Sequence, residues 1–285
     1  MEIKGINTVP IKQGERLSVM TLKVRDNTDN EHILFMQMST LVDFLTILNN
    51  RMHKVSQRIK ERGESYKAGL MATIESLTKN IPQITAQEVM QPDTGKLVMS
   101  MAPKFADEGF TLIMSLNNQH VVTLDIGDLE AEFIMMAIVK AIEASNDKEA
   151  FQMMGSILDF ILLYNVDLAN VENLRYLEIK HEPWKESLFA HHLAVLYCFN
   201  TENGKKILAG TVIKSNAQPN TPEADNIIQR VAFLTPSIKE IQGKYTLCQT
   251  FSRIIPSQPE KTLAKANCLK ALQNFCLETQ GTLSQ

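Results

Sequence analysis

The sequence predicts an α+β protein made of antiparallel hairpin-plus-helix (ββα) units in two subdomains, with a long N-terminal helix or helical hairpin. Three observations carry this prediction. Paired alternating segments joined by turn residues are each followed by a stretch of helical periodicity, and that order occurs three times. Residues 41–81 carry one sustained helical stripe. All fourteen methionines lie between Met1 and Met154, whereas the four cysteines and the lone Trp184 lie beyond it. Methionine fills irregular gaps and cysteine acts as a small hydrophobe, so the split fits two separate cores. It suggests a Met-rich domain over residues 1–165 and a second domain over 166–285.

Taken in order, "RLSVMTLKV" and "HILFMQM" alternate with period two and flank the turn-rich "RDNTDNE", the pattern of a half-buried hairpin. Ser39 or Thr40 can then cap the helical "LVDFLTILNNRM". "GFTLIMSL" and "HVVTLDI" repeat the hairpin, and Asp128 is positioned to cap "LEAEFIMMAIVKAI". "HLAVLYCFN" and "KKILAGTVIKS" form the third pair, before Thr221-Pro222 opens "EADNIIQRVAFL". "KEAFQMMGSILDFILLY" reads as a buried helix, "LRYLEIK" and "YTLCQTFSRII" as strands, and "KTLAKANCLKALQNFCLE" as an amphipathic C-terminal helix.

Leu41, Phe44, Leu45, Leu48, Met52, Val55 and Ile59 share one helical face, and Tyr66, Leu70, Ile74, Leu77 and Ile81 continue it in phase. One unbroken helix to Pro82 would make a rod of about 60 Å at 1.5 Å per residue. Gly63 permits either this rod or two helices, because an interior glycine costs only about 1 kcal/mol. A rod of that length needs a partner for its far end, which predicts a homo-oligomer through the 41–81 stripe.

A net charge of −3 and a pI near 6.1 exclude a generally basic nucleic-acid binder. Residues 1–150 carry 16 basic and 20 acidic side chains, and the remainder 13 and 12, so neither half is a basic reader domain. No CxxC pair is present, which reads as reduced thiols. "MEIKGINTVPIKQ" lacks the apolar core of a signal peptide, and "FIMMAIV" and "ILDFILLYNV" are too short to span a bilayer. These features predict a cytoplasmic protein with no membrane association.

The local exception is Arg51, Lys54, Arg58 and Arg62, whose spacing groups them beside the apolar stripe. Guanidinium groups donate paired hydrogen bonds to phosphate or carboxylate, so this row is the candidate binding site for an acidic protein or a nucleic acid. Catalytic signposts are sparse. Phosphate-cradling glycine motifs, the G-x-S-x-G elbow and the H-E-x-x-H zinc helix are all missing. Asp125, Asp128, Glu130 and Glu132 cluster where capping and the helix dipole favour carboxylates, and they read as structural rather than metal-binding. The enzymatic alternative is a metal-dependent nuclease of PD-(D/E)xK type, in which Asp167 and Glu178 hold the ion and Lys180 stabilises developing charge.

"EPWKESLFAHHLAVLYCFN", residues 182–200, holds Trp184 and the adjacent His191 and His192. Over 188–200 both alternating faces are apolar, as expected of a central strand covered on each side. Adjacent histidines on such a strand point in opposite directions and cannot share a metal. The succession Pro183-Trp184-Lys185, Leu188-Phe189, His191 and "LAVLY", ending in Phe199 and followed by "ENGKK", resembles the YjeJ family of uncharacterised enterobacterial proteins. "FMQMSTLVDFLTILNNRMH" is similar to that family too. The resemblance implies a bacterial cytoplasmic protein and brings no activity or functional residues with it. Together, these readings predict a non-enzymatic protein that self-associates and binds a macromolecular partner, without cofactor or metal.

Overall fold

The computed structural model describes residues 1–257 and 263–283. The chain divides into two compact units, Met1–Leu158 and Asp159–Gln285.

In the first unit, β1 (Ile3–Gln13), β2 (Arg16–Asp26) and β3 (Glu31–Gln37) form an antiparallel sheet in that order. Helices α1 (Met38–Arg62), α2 (Glu64–Lys79) and the short α3 (Ala86–Met90) follow. A second antiparallel sheet, β4 (Val98–Ala106), β5 (Gly109–Leu116) and β6 (Val121–Gly127), leads into α4 (Asp128–Ala144) and α5 (Lys148–Ile157). The two predicted hairpins are β2–β3 and β5–β6, each followed directly by a helix. Each also has an additional strand in front of it, β1 or β4. Both extra strands contain a proline, Pro10 or Pro103, which a sheet tolerates at its edge, and both are edge strands.

The stripe from Leu41 to Ile81 is divided between two helices. Gly63, at φ 67° and ψ −144°, adopts a conformation essentially reserved for glycine and turns the chain between α1 and α2. Leu41, Phe44, Leu45, Leu48 and Val55 of α1, and Leu70 and Leu77 of α2, are all buried within the unit. α1 packs against α4, β2, β3 and β4, and α2 against α4 and β1. Two expected caps are placed differently. Gln37 occupies the N-cap of α1 without a side-chain bond, and Thr40 bonds back to the Gln37 carbonyl. At α4 the N-cap is Gly127, whose N–H is taken by Glu130, and this leaves the Asp128 carboxylate for another role.

The second unit is one antiparallel sheet in the order β11-β9-β10-β7-β8. Its strands are β7 (Phe160–Asp167), β8 (Arg175–Glu178), β9 (His191–Thr201), β10 (Gly204–Ser215) and β11 (Thr246–Ile255), with helices α6 (Pro183–Ser187), α7 (Pro222–Leu234), α8 (Pro236–Gln242) and α9 (Lys265–Leu283). The stretch read as one helix, 148–164, is therefore α5 followed by β7. Periodicity cannot distinguish a short buried strand from a buried helical segment.

The third hairpin and helix, β9–β10 and α7, match expectation, with Thr221 capping Ala224 N–H and Pro222 at the first helical position. β9 is the central covered strand: Leu193–Phe199 are at most 1% exposed. One sheet face packs Leu193, Val195, Tyr197 and Phe199 against Ile227, Ile228 and Val231 of α7. The other receives α9, so close at Gly210 that an added Cβ would lie 3.1 Å from Leu272 Cδ2.

Candidate functional site

A groove of about 690 Å³ opens in the first unit between β1, α2 and α4. Five consecutive β1 residues, Ile6–Pro10, line it. Side chains alternate along a strand, so a consecutive run means that the strand's edge contributes as well as its faces; β1 is paired only with β2. α4 supplies Phe133, Met136, Ala137, Lys140, Ala141 and Ala144, whose spacing marks a single helical face. Ile74 and Thr78, one turn apart on α2, and Ile81 beyond it complete the lining. One anchor of α2 is Gly5, where a Cβ would stand 2.0 Å from the Asn80 carbonyl oxygen. Only a glycine allows this close approach of the end of α2 to β1.

The groove is mainly apolar, and its neutral polar groups already have partners. Asn7 Nδ2 donates to the Pro82 carbonyl at 2.8 Å, Thr8 Oγ1 to Ala137 O at 2.9 Å and Thr78 Oγ1 to Ile74 O at 2.7 Å. Met136 and Ile81 remain 47% and 41% exposed although they are large and apolar. The sole charged lining residue is Lys140, which is exposed and has no hydrogen-bond or ion-pair partner among the described residues. Small alanines leave space here, while methionine can adapt to what enters.

The basic row lies on one helix, α1, and two of its four members, Arg51 and Arg58, point inward. Arg51 is 0% exposed, and its Nε and Nη2 donate to the two Asp128 carboxylate oxygens at 2.5 and 2.7 Å. Its Nη2 also reaches the Asp107 carbonyl at 2.8 Å. Arg58 is buried and bonds the same carboxylate and the Asp107 carbonyl. Arg62 Nη1 pairs with Glu108 Oε1 at 2.6 Å. These arginines tie α1 to the start of α4 and to the β4–β5 turn, and Lys54 is the exposed member without such a tie. The helical spacing visible in the sequence brings the row together; the acceptors come from 46 to 77 residues away.

The residues of the nuclease alternative are not brought together. Asp167 pairs in register with Arg175, whereas Glu178 pairs with Tyr164, three residues back along β7. That odd offset puts the two carboxylates on opposite sheet faces. Glu178 Oε2 accepts from Lys265 Nζ of α9 at 3.2 Å, and Lys180 is exposed past the end of β8. Among the described residues no group of three or more His, Cys, Asp or Glu side chains is placed to hold a metal ion.

His191 and His192 turn to opposite faces, as strand geometry requires. His191 Nε2 meets Gln218 Nε2 at 2.8 Å, and fully buried His192 places Nδ1 3.1 Å from Ser257 Oγ. Burial, reinforced by the Lys214 ammonium, lowers the His192 pKa to about 4, so the ring is neutral at pH 7. Lys214 Nζ in turn donates to the Glu186 carbonyl at 2.5 Å.

The likeness first carried by the 182–206 segment extends along the whole chain: a family model described as YjeJ-like matches residues 1–282. The chain belongs to the YjeJ-like family. A relative from Escherichia coli (strain K12), described as "Uncharacterized protein YjeJ", is 28% identical over 282 residues, covering 98% of this chain and 96% of the relative. No solved structure matches the chain. Among the described residues, no helix is long and apolar enough to cross a membrane.

Proposed function

We propose that this protein of the YjeJ-like family works by binding rather than by catalysis, and that its N-terminal unit holds a small amphipathic anion in the β1–α2–α4 groove. The carrying observation is the combination of an open apolar groove of about 690 Å³ with a single unpaired cation, Lys140, in its lining. That volume lies in the range of small-molecule sites, which are mostly apolar with a few orienting polar groups. An aliphatic or aromatic body would cover Ile74, Ile81, Phe133 and Met136, and a carboxylate would meet Lys140. Of the apolar stripe expected to drive self-association, Leu41, Phe44, Leu45, Leu48, Val55, Leu70 and Leu77 are buried in the unit's own core, as are Arg51 and Arg58, whereas Ile74 and Ile81 line the groove.

The test uses dodecanoate as the anionic probe and dodecylamine as its cationic control, followed by titration calorimetry on the full chain. Dodecanoate is expected to bind saturably with one site per chain, and Ala144→Phe, which fills part of the groove, is expected to abolish binding. Lys140→Glu should weaken it about fivefold, the effect of about 1 kcal/mol of surface electrostatics. Equal affinity for the two probes, no saturable binding, or occupation of the groove by a second copy or another protein would each overturn the proposal.

A further inference from the structure

We propose that Cys248 and Cys198 form a redox modification site in which hydrogen peroxide oxidises the exposed Cys248 thiol and Cys198 resolves it to an intramolecular disulfide. The site lies in the second unit and is independent of the groove.

Cys198 sits in β9, the central strand, and Cys248 in β11, which lies at the sheet edge. The register between them is broken: Leu247 pairs with Phe199 and Gln249 with Cys198, so Cys248 is the extra residue of a β-bulge. In a bulge two residues of one strand oppose a single residue of the other. Cys248 and Gln249 therefore both face Cys198, and the sulfurs stand 3.7 Å apart, with Cys248 S–H also within 3.3 Å of the Cys198 carbonyl. A disulfide needs about 2.05 Å between sulfurs, an approach that side-chain rotations of the two cysteines would supply. Exposure differs sharply across the pair: Cys248 is exposed, while Cys198, Cys268 and Cys276 are buried. A peroxide thus meets one thiol first, and the sulfur in contact with it belongs to Cys198.

The chemistry balances. Cys248 loses its proton to solvent and its thiolate attacks one peroxide oxygen, breaking the O–O bond; the departing oxygen leaves as water, and Cys248 becomes a sulfenic acid. The Cys198 sulfur then attacks the Cys248 sulfur and displaces the hydroxyl group, which takes up the Cys198 proton and leaves as a second water. Two thiols and one hydrogen peroxide molecule thus become one disulfide, with two electrons passing to the peroxide. Burial, with the Cys248 S–H beside it, raises the Cys198 pKa to about 12, which keeps that thiol protonated and leaves Cys248 as the one that meets peroxide first.

The experiment treats the reduced full chain with a modest excess of hydrogen peroxide and follows intact mass and peptide maps. The wild type should lose two hydrogens, yield a Cys198–Cys248 linked peptide, and keep Cys268 and Cys276 open to alkylation after unfolding. Cys248→Ser should slow thiol loss by roughly tenfold or more, because the remaining thiols are buried. Cys198→Ala should halt Cys248 at the sulfenic acid, trapped as its dimedone adduct. If Cys198→Ala does not fold, the wild-type and Cys248→Ser maps decide alone. A link between any other cysteines, a dimer joined through Cys248, direct passage of Cys248 to sulfinic acid, or no reaction would overturn the site.

Discussion

Arg51 has no exposed surface, and its charge is balanced by a carboxylate 77 residues further along the chain. Taking two ions out of water is costly, and a buried pair persists only when its geometry is good and its remaining donors are satisfied. Here Asp128 accepts from both Arg51 and Arg58, and backbone carbonyls of the β4–β5 turn take further guanidinium N–H groups. Removing Arg51 leaves an acid surrounded by protein with half its compensation gone. Arg51→Met should therefore cost about 3–5 kcal/mol in urea unfolding, and Arg51→Lys should recover little of it, because an ammonium lacks the planar fork. A loss below about 1 kcal/mol would contradict the clamp. The spacing of the basic row is legible as sequence, since it depends on helical geometry alone. Its orientation is not: nothing local to residues 51–62 indicates that Asp128 will be held against them. Asp128 itself was open to misreading, because an acid at a helix start has a simpler explanation as a cap.

At the scale of elements, strong periodicity was a good guide and so was Pro222 at a helix start, whereas the prolines inside edge strands misled. The three hairpins, each with its following helix, were visible because alternation and helical period change abruptly at turn residues. β1 and β4 were obscured by Pro10 and Pro103, which argue against a strand until it is known to be an edge. α5 and β7 merged into one apparent helix because an apolar run of that length carries no clear period. Gly63 left two solutions open, and its positive φ shows which one forms. That residue also offers a direct test. Alanine at φ 67° and ψ −144° is strained by about 1–3 kcal/mol, so Gly63→Ala should lower the thermal midpoint, whereas Gly155→Ala, within α5 and with no atom near its added Cβ, should not. Equal midpoints for the two variants would mean that the turn between α1 and α2 relaxes at no cost.

For the molecule as a whole, composition separated a methionine-rich portion from a cysteine-bearing one, and two compact units are present. The groove was not legible, because its lining comes from residues 6–10, 74–81 and 133–144 and depends on how α2 and α4 flank an edge strand. The one available signal was excess: "FIMMAIV" is more apolar than a helix with a single buried face requires. Burial is also uneven across the sheet of the second unit. β9 is hydrogen-bonded on both edges and covered on both faces, whereas all four residues of β8 are exposed at the margin. In deuterated water, the amides of β8 should exchange through local fraying, within the first moments of labelling. Those of Leu193–Phe199 have no such route and must wait for the entire unit to open, so their exchange rate becomes a direct reading of its global unfolding free energy. If the β9 amides exchanged as fast as those of β8, the central strand would not be the last part of this unit to unfold.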